Sequence, residues 1–250
     1  MILKQADFDF KVMKNKGDSG NLLIATQKAD GKKFIVKHQR ADNACNEFMY
    51  FAIAKELGLP TLEFYLFEKD ETKKRFKSKY AIAIEYLEDA KKFDYDIETR
   101  DQVKNWQDSF KHWALFAALT EHDGFEILQD KDGHIYRIDP TDAFCFSYFV
   151  EKIDKPEILE FLTNLAMNYH KQVYGELTQH FKKLSSENGK AEQKLFLDTL
   201  KKLTELADDK IDPYLDELEQ VYPQDFTHCY VFFIESCKLA CREFLSELDY

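Results

Sequence analysis

Apolar and polar positions follow two different periods along this chain, and the change falls near residue 88. Between Phe8 and Leu87, short β-like runs recur at Phe10 to Met13, Asn21 to Thr26, Lys33 to His38, Leu62 to Glu68 and Tyr80 to Tyr86. Asp30-Gly31, between the second and third runs, is a hairpin signal. One helix interrupts the strands: Asp42 or Asn43 can cap it, Glu47 through Leu57 carries the helical pattern, and Gly58 with Pro60 ends it. After Asp89 the period becomes helical over Val103 to Thr120, Pro156 to Leu184, Ala191 to Leu206, Pro213 to Val221 and Asp225 to Leu248. Ile127-Leu128, Asp132-Gly133 and Ile135 to Ile138 alternate like a small hairpin wedged among those helices. Segregated strands and helices predict an α+β chain in two lobes: residues 1–88 small and β-rich with one helix, residues 89–250 larger and mainly helical.

Composition narrows the function classes. At 250 residues, 44% hydrophobic and 32% charged, with 8 Gly and 5 Pro, the chain is globular and needs neither disulfides nor metal to fold. Its five cysteines, Cys45, Cys145, Cys229, Cys237 and Cys241, read as free thiols in a reducing compartment. The longest purely apolar run, Trp113 to Leu119, is too short for a bilayer, and the first residues lack a secretion signal, so a cytoplasmic location is expected. Lys+Arg number 35 against 46 Asp+Glu, a net charge of −11, which weighs against nucleic acid or an anionic membrane as a direct partner. Residues 1–90 hold 16 basic and 14 acidic side chains (+2), leaving 19 and 32 (−13) for the rest. The basic cluster Lys73, Lys74, Arg75, Lys77 and Lys79 reads as a solvated hairpin tip.

Five features carry candidate chemistry. Gly17-Asp18-Ser19-Gly20-Asn21 lies between two strands; its glycines let backbone amides approach phosphate oxygens, although the same residues also make a plain turn. Lys37 sits inside the apolar strand Phe34-Ile35-Val36, where an unpaired ammonium is costly, so an anionic partner is expected. Glu47, in the following helix, can supply it. Asp123 lies in an acidic loop after a hydrophobic helix, and Asp139 immediately follows the apolar strand Tyr136-Arg137-Ile138. Two carboxylates at neighbouring hairpin ends suit a hard cation such as magnesium, which bridges acids to nucleotide phosphates.

Taken in order, these features resemble the protein-kinase-like fold, in the atypical branch of HipA-like and phosphatidylinositol kinases. Phe34 to Lys37, then Asn46-Glu47-Phe48, then Ala54 to Pro60 look like that branch's lysine strand, glutamate helix and exit to the next strand. Leu119 through Asp123, Ile127-Leu128, Asp132-Gly133 and Ile138-Asp139 are similar to its catalytic loop, hairpin and metal-binding aspartate. The likeness spans roughly residues 10 to 150. It implies ATP and magnesium as cofactors and transfer of the γ-phosphate to a hydroxyl of a protein or small molecule. It further implies that Gly17, Ser19 and Gly20 cover the nucleotide, that Lys37 contacts the α/β-phosphates and pairs with Glu47, and that Glu85 to Leu87 form the hinge that holds adenine. Asp123 orients the acceptor or takes its proton, and Asp139 binds magnesium.

One departure matters. Where the family has a metal-binding asparagine after the loop aspartate, this chain has Glu126, and the loop is shorter. A carboxylate can replace an amide oxygen as a hard ligand, but it adds negative charge beside Asp123 and Asp139. A phosphotransferase therefore stands beside a second reading, a nucleotide-binding pseudokinase that serves as a regulatory interaction module. A third, a structural helical protein with a small sheet, gives Lys37 no reason. Cys237, Cys241 and the pair His228-Cys229 read as buried structural thiols rather than a zinc site, given Val231, Phe232, Phe233 and Leu239 among them. His122 either braces the loop or fills space. The 22 Phe and 13 Tyr fall at core periodicities and read as packing.

Overall fold

A computed structural model describes residues 1–13, 22–37, 40–70, 79–93, 101–121, 124–144, 157–183, 187–222 and 224–250. Six strands form the larger sheet: β1 (Ile2–Lys4), β2 (Phe8–Val12), β3 (Leu22–Gln27), β4 (Lys33–Lys37), β5 (Phe64–Glu68) and β6 (Tyr80–Glu85), in the order β1-β5-β6-β4-β3-β2. All neighbours are antiparallel except β1 and β5. The strands at opposite edges, β1 and β2, are consecutive in sequence and joined by only the three-residue turn Gln5–Asp7. The sheet must therefore curl until its edges meet. Leu3 and Phe8 from those edges accordingly share a cluster with Phe34, Val36, Phe67 and Ala83 on the concave side, where Phe8 meets Phe67 and Phe34 edge-on at 5.4 and 6.0 Å.

The Asp30-Gly31 turn forms as expected, with Gly31 at φ +78°, a left-handed conformation that favours glycine. The helix predicted after β4 is α1 (Ala41–Glu56). It begins earlier than its expected cap: Arg40 occupies the N-cap position, and Asp42 instead sits in the first turn, where the Arg40 guanidinium holds its carboxylate. An anion there complements the helix dipole. The other end closes as a Schellman turn, with Gly58 at φ +73° and the N–H groups of Gly58 and Leu59 donating to the carbonyls of Lys55 and Ala54, each at 2.9 Å. Every residue from Ala44 to Ala54 is buried, as a helix must be when it is packed on all sides.

The main core runs through α1 into the helical half. It joins Phe51, Leu66 and Ile82 to residues of α2 (Asp108–Ala118), α4 (Lys190–Thr204) and α6 (Gln224–Glu247), including Leu115, Leu200 and Phe233. The remaining helices are α3 (Glu157–Phe181) and α5 (Asp212–Glu219). Cys229, Cys237 and Cys241 lie buried on α6 and Cys45 on α1, all as free thiols. No helix among the described residues is long and apolar enough to cross a membrane.

The hairpin expected among the helices is β8 (Glu126–Gln129) with β9 (Ile135–Ile138), and an unforeseen strand, β7 (Lys91–Phe93), completes a three-stranded sheet. Helix α2 starts five residues later than the apolar period suggests. The reason is Asn105, whose amide donates to the Ile135 carbonyl (3.1 Å) and accepts from the Ile135 N–H (2.8 Å), pairing the edge of β9 as a strand residue would.

Two histidines are sealed in the helical half. His112 on α2 lies between the Pro60 carbonyl (3.1 Å) and the Tyr50 hydroxyl (3.4 Å), and His170 on α3 meets the Phe244 ring edge-on. Burial lowers both to about 4 from an ordinary 6.5, with the Arg137 charge adding to the effect at His112. Between those values the unfolded chain binds protons that the folded chain does not, so stability falls as pH falls. Urea titrations are expected to show a stability plateau above about pH 7 and a loss of order 3 kcal/mol per histidine by about pH 4. A His112→Gln, His170→Gln chain that loses as much over the same interval would contradict this assignment.

Candidate active site

Strand parity decides where Lys37 points. Phe34 and Val36 face the concave cluster, so Ile35 and Lys37 face the opposite way, toward α1. There the ammonium donates to Glu47 Oε1 and, at 2.7 Å, to Asp139 Oδ1. The expected anionic partner is thus Glu47, and a second carboxylate arrives from 102 residues farther along the chain. Lys37 is 14% exposed, Glu47 0% and Asp139 43%. Burial alone would lower the lysine's pKa, but the two carboxylates outweigh it and raise it above 10.5. Burial likewise works to raise Asp139, and the Lys37 charge and hydrogen bond reverse that, holding it below 3.8. Lys37 and Asp139 are thereby both held toward their charged forms.

Asp139 holds this position with a left-handed backbone, φ +57°, directly before Pro140. Non-glycine residues pay of order 1–3 kcal/mol for such conformations, which persist only where the surroundings impose them. Thr120 (φ 52°) and Phe144 (φ 67°) do the same, so three of the six such residues described flank this one site. The impositions are visible. The Phe144 N–H donates to the Leu119 carbonyl at 2.6 Å. Asn46, beside Glu47, donates its amide to the Thr141 carbonyl at 2.8 Å and accepts from the Tyr230 hydroxyl at 2.7 Å. The segment after Asp139 is thereby tied to α1 and, through it, to α6.

The acidic loop is anchored by groups the sequence did not single out. Glu121, wholly buried, pairs with the Arg137 guanidinium, and the Tyr169 hydroxyl donates to the Glu121 carbonyl. Asp123 lies outside the described residues, as do Gly17, Ser19 and Gly20. The strands flanking the glycine segment pair as expected, with the Met13 N–H donating to the Leu22 carbonyl at 3.2 Å. Lys79 ends the basic cluster, the rest of which likewise lies outside the described residues.

Glu126 stands opposite Ile138 in the β8–β9 register, one residue from Asp139. Its carboxylate is engaged by Lys92 of β7 at 2.6 Å. That lysine is largely exposed, so the pair contributes roughly 0–1 kcal/mol and could be exchanged at little cost. Glu85 and Leu87 lie at and just beyond the end of β6. The Glu85 and Tyr86 N–H groups donate to the Glu63 and Lys33 carbonyls at 2.8 and 3.0 Å, and Leu87 packs at the edge of the main core.

Among the described residues no group of three or more His, Cys, Asp or Glu is arranged to hold a metal ion. Magnesium does not require one, since it binds through one or two carboxylates plus phosphate oxygens and water. Asp139, half exposed beside Lys37, fits that demand.

A curled sheet, a buried helix that presents a glutamate to a strand lysine, and a helical half that returns an aspartate to the same ammonium define a two-lobed protein-kinase-like α+β fold. The chain is similar to the crystal structure of a Helicobacter pylori proinflammatory kinase, CtkA, over 98% of each chain, with a TM-score of 0.54 and 12% sequence identity. At that identity the likeness is one of fold. No family model matches the sequence, and no curated protein is significantly similar to it.

Proposed function

We propose that this chain binds ATP with magnesium between its two lobes and transfers the γ-phosphate to a hydroxyl of a protein or small molecule, as an atypical kinase of HipA-like or phosphatidylinositol-kinase-like type. The observation that carries the reading is the single ammonium of Lys37 bridging Glu47 and Asp139. A lysine held this way is oriented and charged before any ligand arrives, which is what recognition of α/β-phosphates requires. Gly17, Ser19 and Gly20 would lie over the phosphates, and Glu85 to Leu87 along the adenine. Asp139, with Glu126 if it leaves Lys92, would hold magnesium, which when bound neutralises phosphate charge. Asp123 would orient the acceptor hydroxyl and take its proton.

The engagement of Glu126 by Lys92 favours a second reading, a nucleotide-binding pseudokinase, because it leaves Asp139 as the only described acid at the lysine besides the buried Glu47. Two measurements separate the readings. Millimolar ATP with magnesium is expected to raise the thermal midpoint, by about 2.7 kcal/mol of stabilisation at a hundredfold excess over Kd. Labelled ATP is expected to mark an acceptor in a lysate or the protein itself, and the label to vanish in Asp123→Ala and Asp139→Ala. A thermal shift without transfer selects the pseudokinase, and no shift removes both.

A further inference from the structure

We propose that Arg137 is the positioning residue of the proposed active site, fixing Glu121 and residues 124–126 against the strand that ends at Asp139. This rests on the phosphotransferase reading and adds a part that none of the features matched to the kinase pattern supplies. Ile135 and Arg137 are buried while Tyr136 and Ile138 are half-buried, so a guanidinium occupies the inward parity of β9, where an apolar residue would pack without cost. An arginine sealed there is tolerable only if its donors are met. The donors of its two terminal nitrogens are met, mostly by the loop, while Nε lies buried without a hydrogen bond among the described residues. Nη2 donates to the Glu121 carboxylate and to the Gly124 carbonyl at 3.2 Å, and Nη1 donates to the Glu126 carbonyl at 2.9 Å and to that of Ile138. The Phe125 ring covers the guanidinium at 5.0 Å and stacks on Trp113 at 4.0 Å.

One rigid planar group therefore holds the residue before positions 122–123, the residue after them, the loop's exit, and the residue before Asp139. In sequence, Asp123 falls between Glu121 and Gly124, both held by the same fork. Lysine has the charge but carries its donors at a single point and cannot span four acceptors. Misplacement of a reacting group by about 1 Å costs on the order of 100-fold in rate while leaving remote binding contacts in place.

The test compares wild type with Arg137→Lys and with Glu121→Gln, which keeps an acceptor for the guanidinium and is the variant expected to fold if the first does not. For Arg137→Lys we expect kcat about 100-fold lower, with KM for ATP and the thermal shift on adding ATP and magnesium unchanged; for Glu121→Gln, about tenfold lower with the same split. Hydrogen exchange should rise at amides 121–126 and not in strands 22–37. An arginine that only fills the core would lower the melting temperature and leave kcat of the folded protein unchanged, which overturns the proposal. So does loss of the nucleotide shift along with kcat. If wild type shows no turnover, the phosphotransferase reading fails by itself, and exchange decides the role of Arg137: equal protection of 121–126 in wild type and variant rejects it.

Discussion

Lys37→Met is expected to abolish the response to nucleotide and, at the same time, to cost the folded chain of order 3–5 kcal/mol at neutral pH. The second effect follows from burial. Glu47 has no exposed surface and loses a counter-charge that it shares with Asp139, and a sealed carboxylate without its cation is penalised far more than the original pair contributed. One relief is to take up a proton. The folded variant then binds a proton that the unfolded chain does not, so its stability rises as pH falls. The gap in urea midpoint between wild type and variant should narrow from about pH 8 to about pH 5. A gap that is constant over that range would show that Glu47 is not left alone by the substitution.

Asp139→Asn should behave in the opposite way, with phosphate transfer about a thousandfold lower or worse and stability within about 1 kcal/mol of wild type. Lys37 retains Glu47, the replaced side chain is half exposed, and asparagine tolerates a left-handed backbone better than most residues. The pH dependence has a definite sign. Asp139 is held below 3.8 by Lys37, so its contribution is present above that value and disappears as pH falls through the lower folded value. Wild type and variant should therefore differ by a constant amount above about pH 5 and converge in stronger acid. Loss of stability comparable to that of Lys37→Met would mean that Asp139, rather than Glu47, carries the buried pair.

Where local pattern and tertiary need coincide, the sequence was readable. Strands β2 to β6 and the hairpin β8–β9 announce themselves by alternation and by Asp-Gly turns, and α1 ends at its Gly58. Strand β1 has only three residues, and its parallel partner β5 lies some 60 residues away; β7 is Lys-Lys-Phe, too short and polar to show a period. The late start of α2 depends on Asn105 finding the edge of β9, a contact with no local signature. At the site, Lys37 stood out because a charge in an apolar strand demands a partner, and Glu47 and Asp139 were placed by their order in the chain. The same reasoning applied to Arg137, at the inward parity of Ile-Tyr-Arg-Ile, would have called for an acid such as Glu121. Asn46 and Tyr230 gave no comparable warning, since an amide and a phenol on helix faces are ordinary until the helices are assembled.

Asn46 and Glu47 are neighbours on one helix, and their side chains leave its axis about 100° apart. One reaches across to Thr141 and Tyr230, the other down to the sheet. Any roll of the helix that withdrew the acid would also tear away the amide, so neither grip can be released singly.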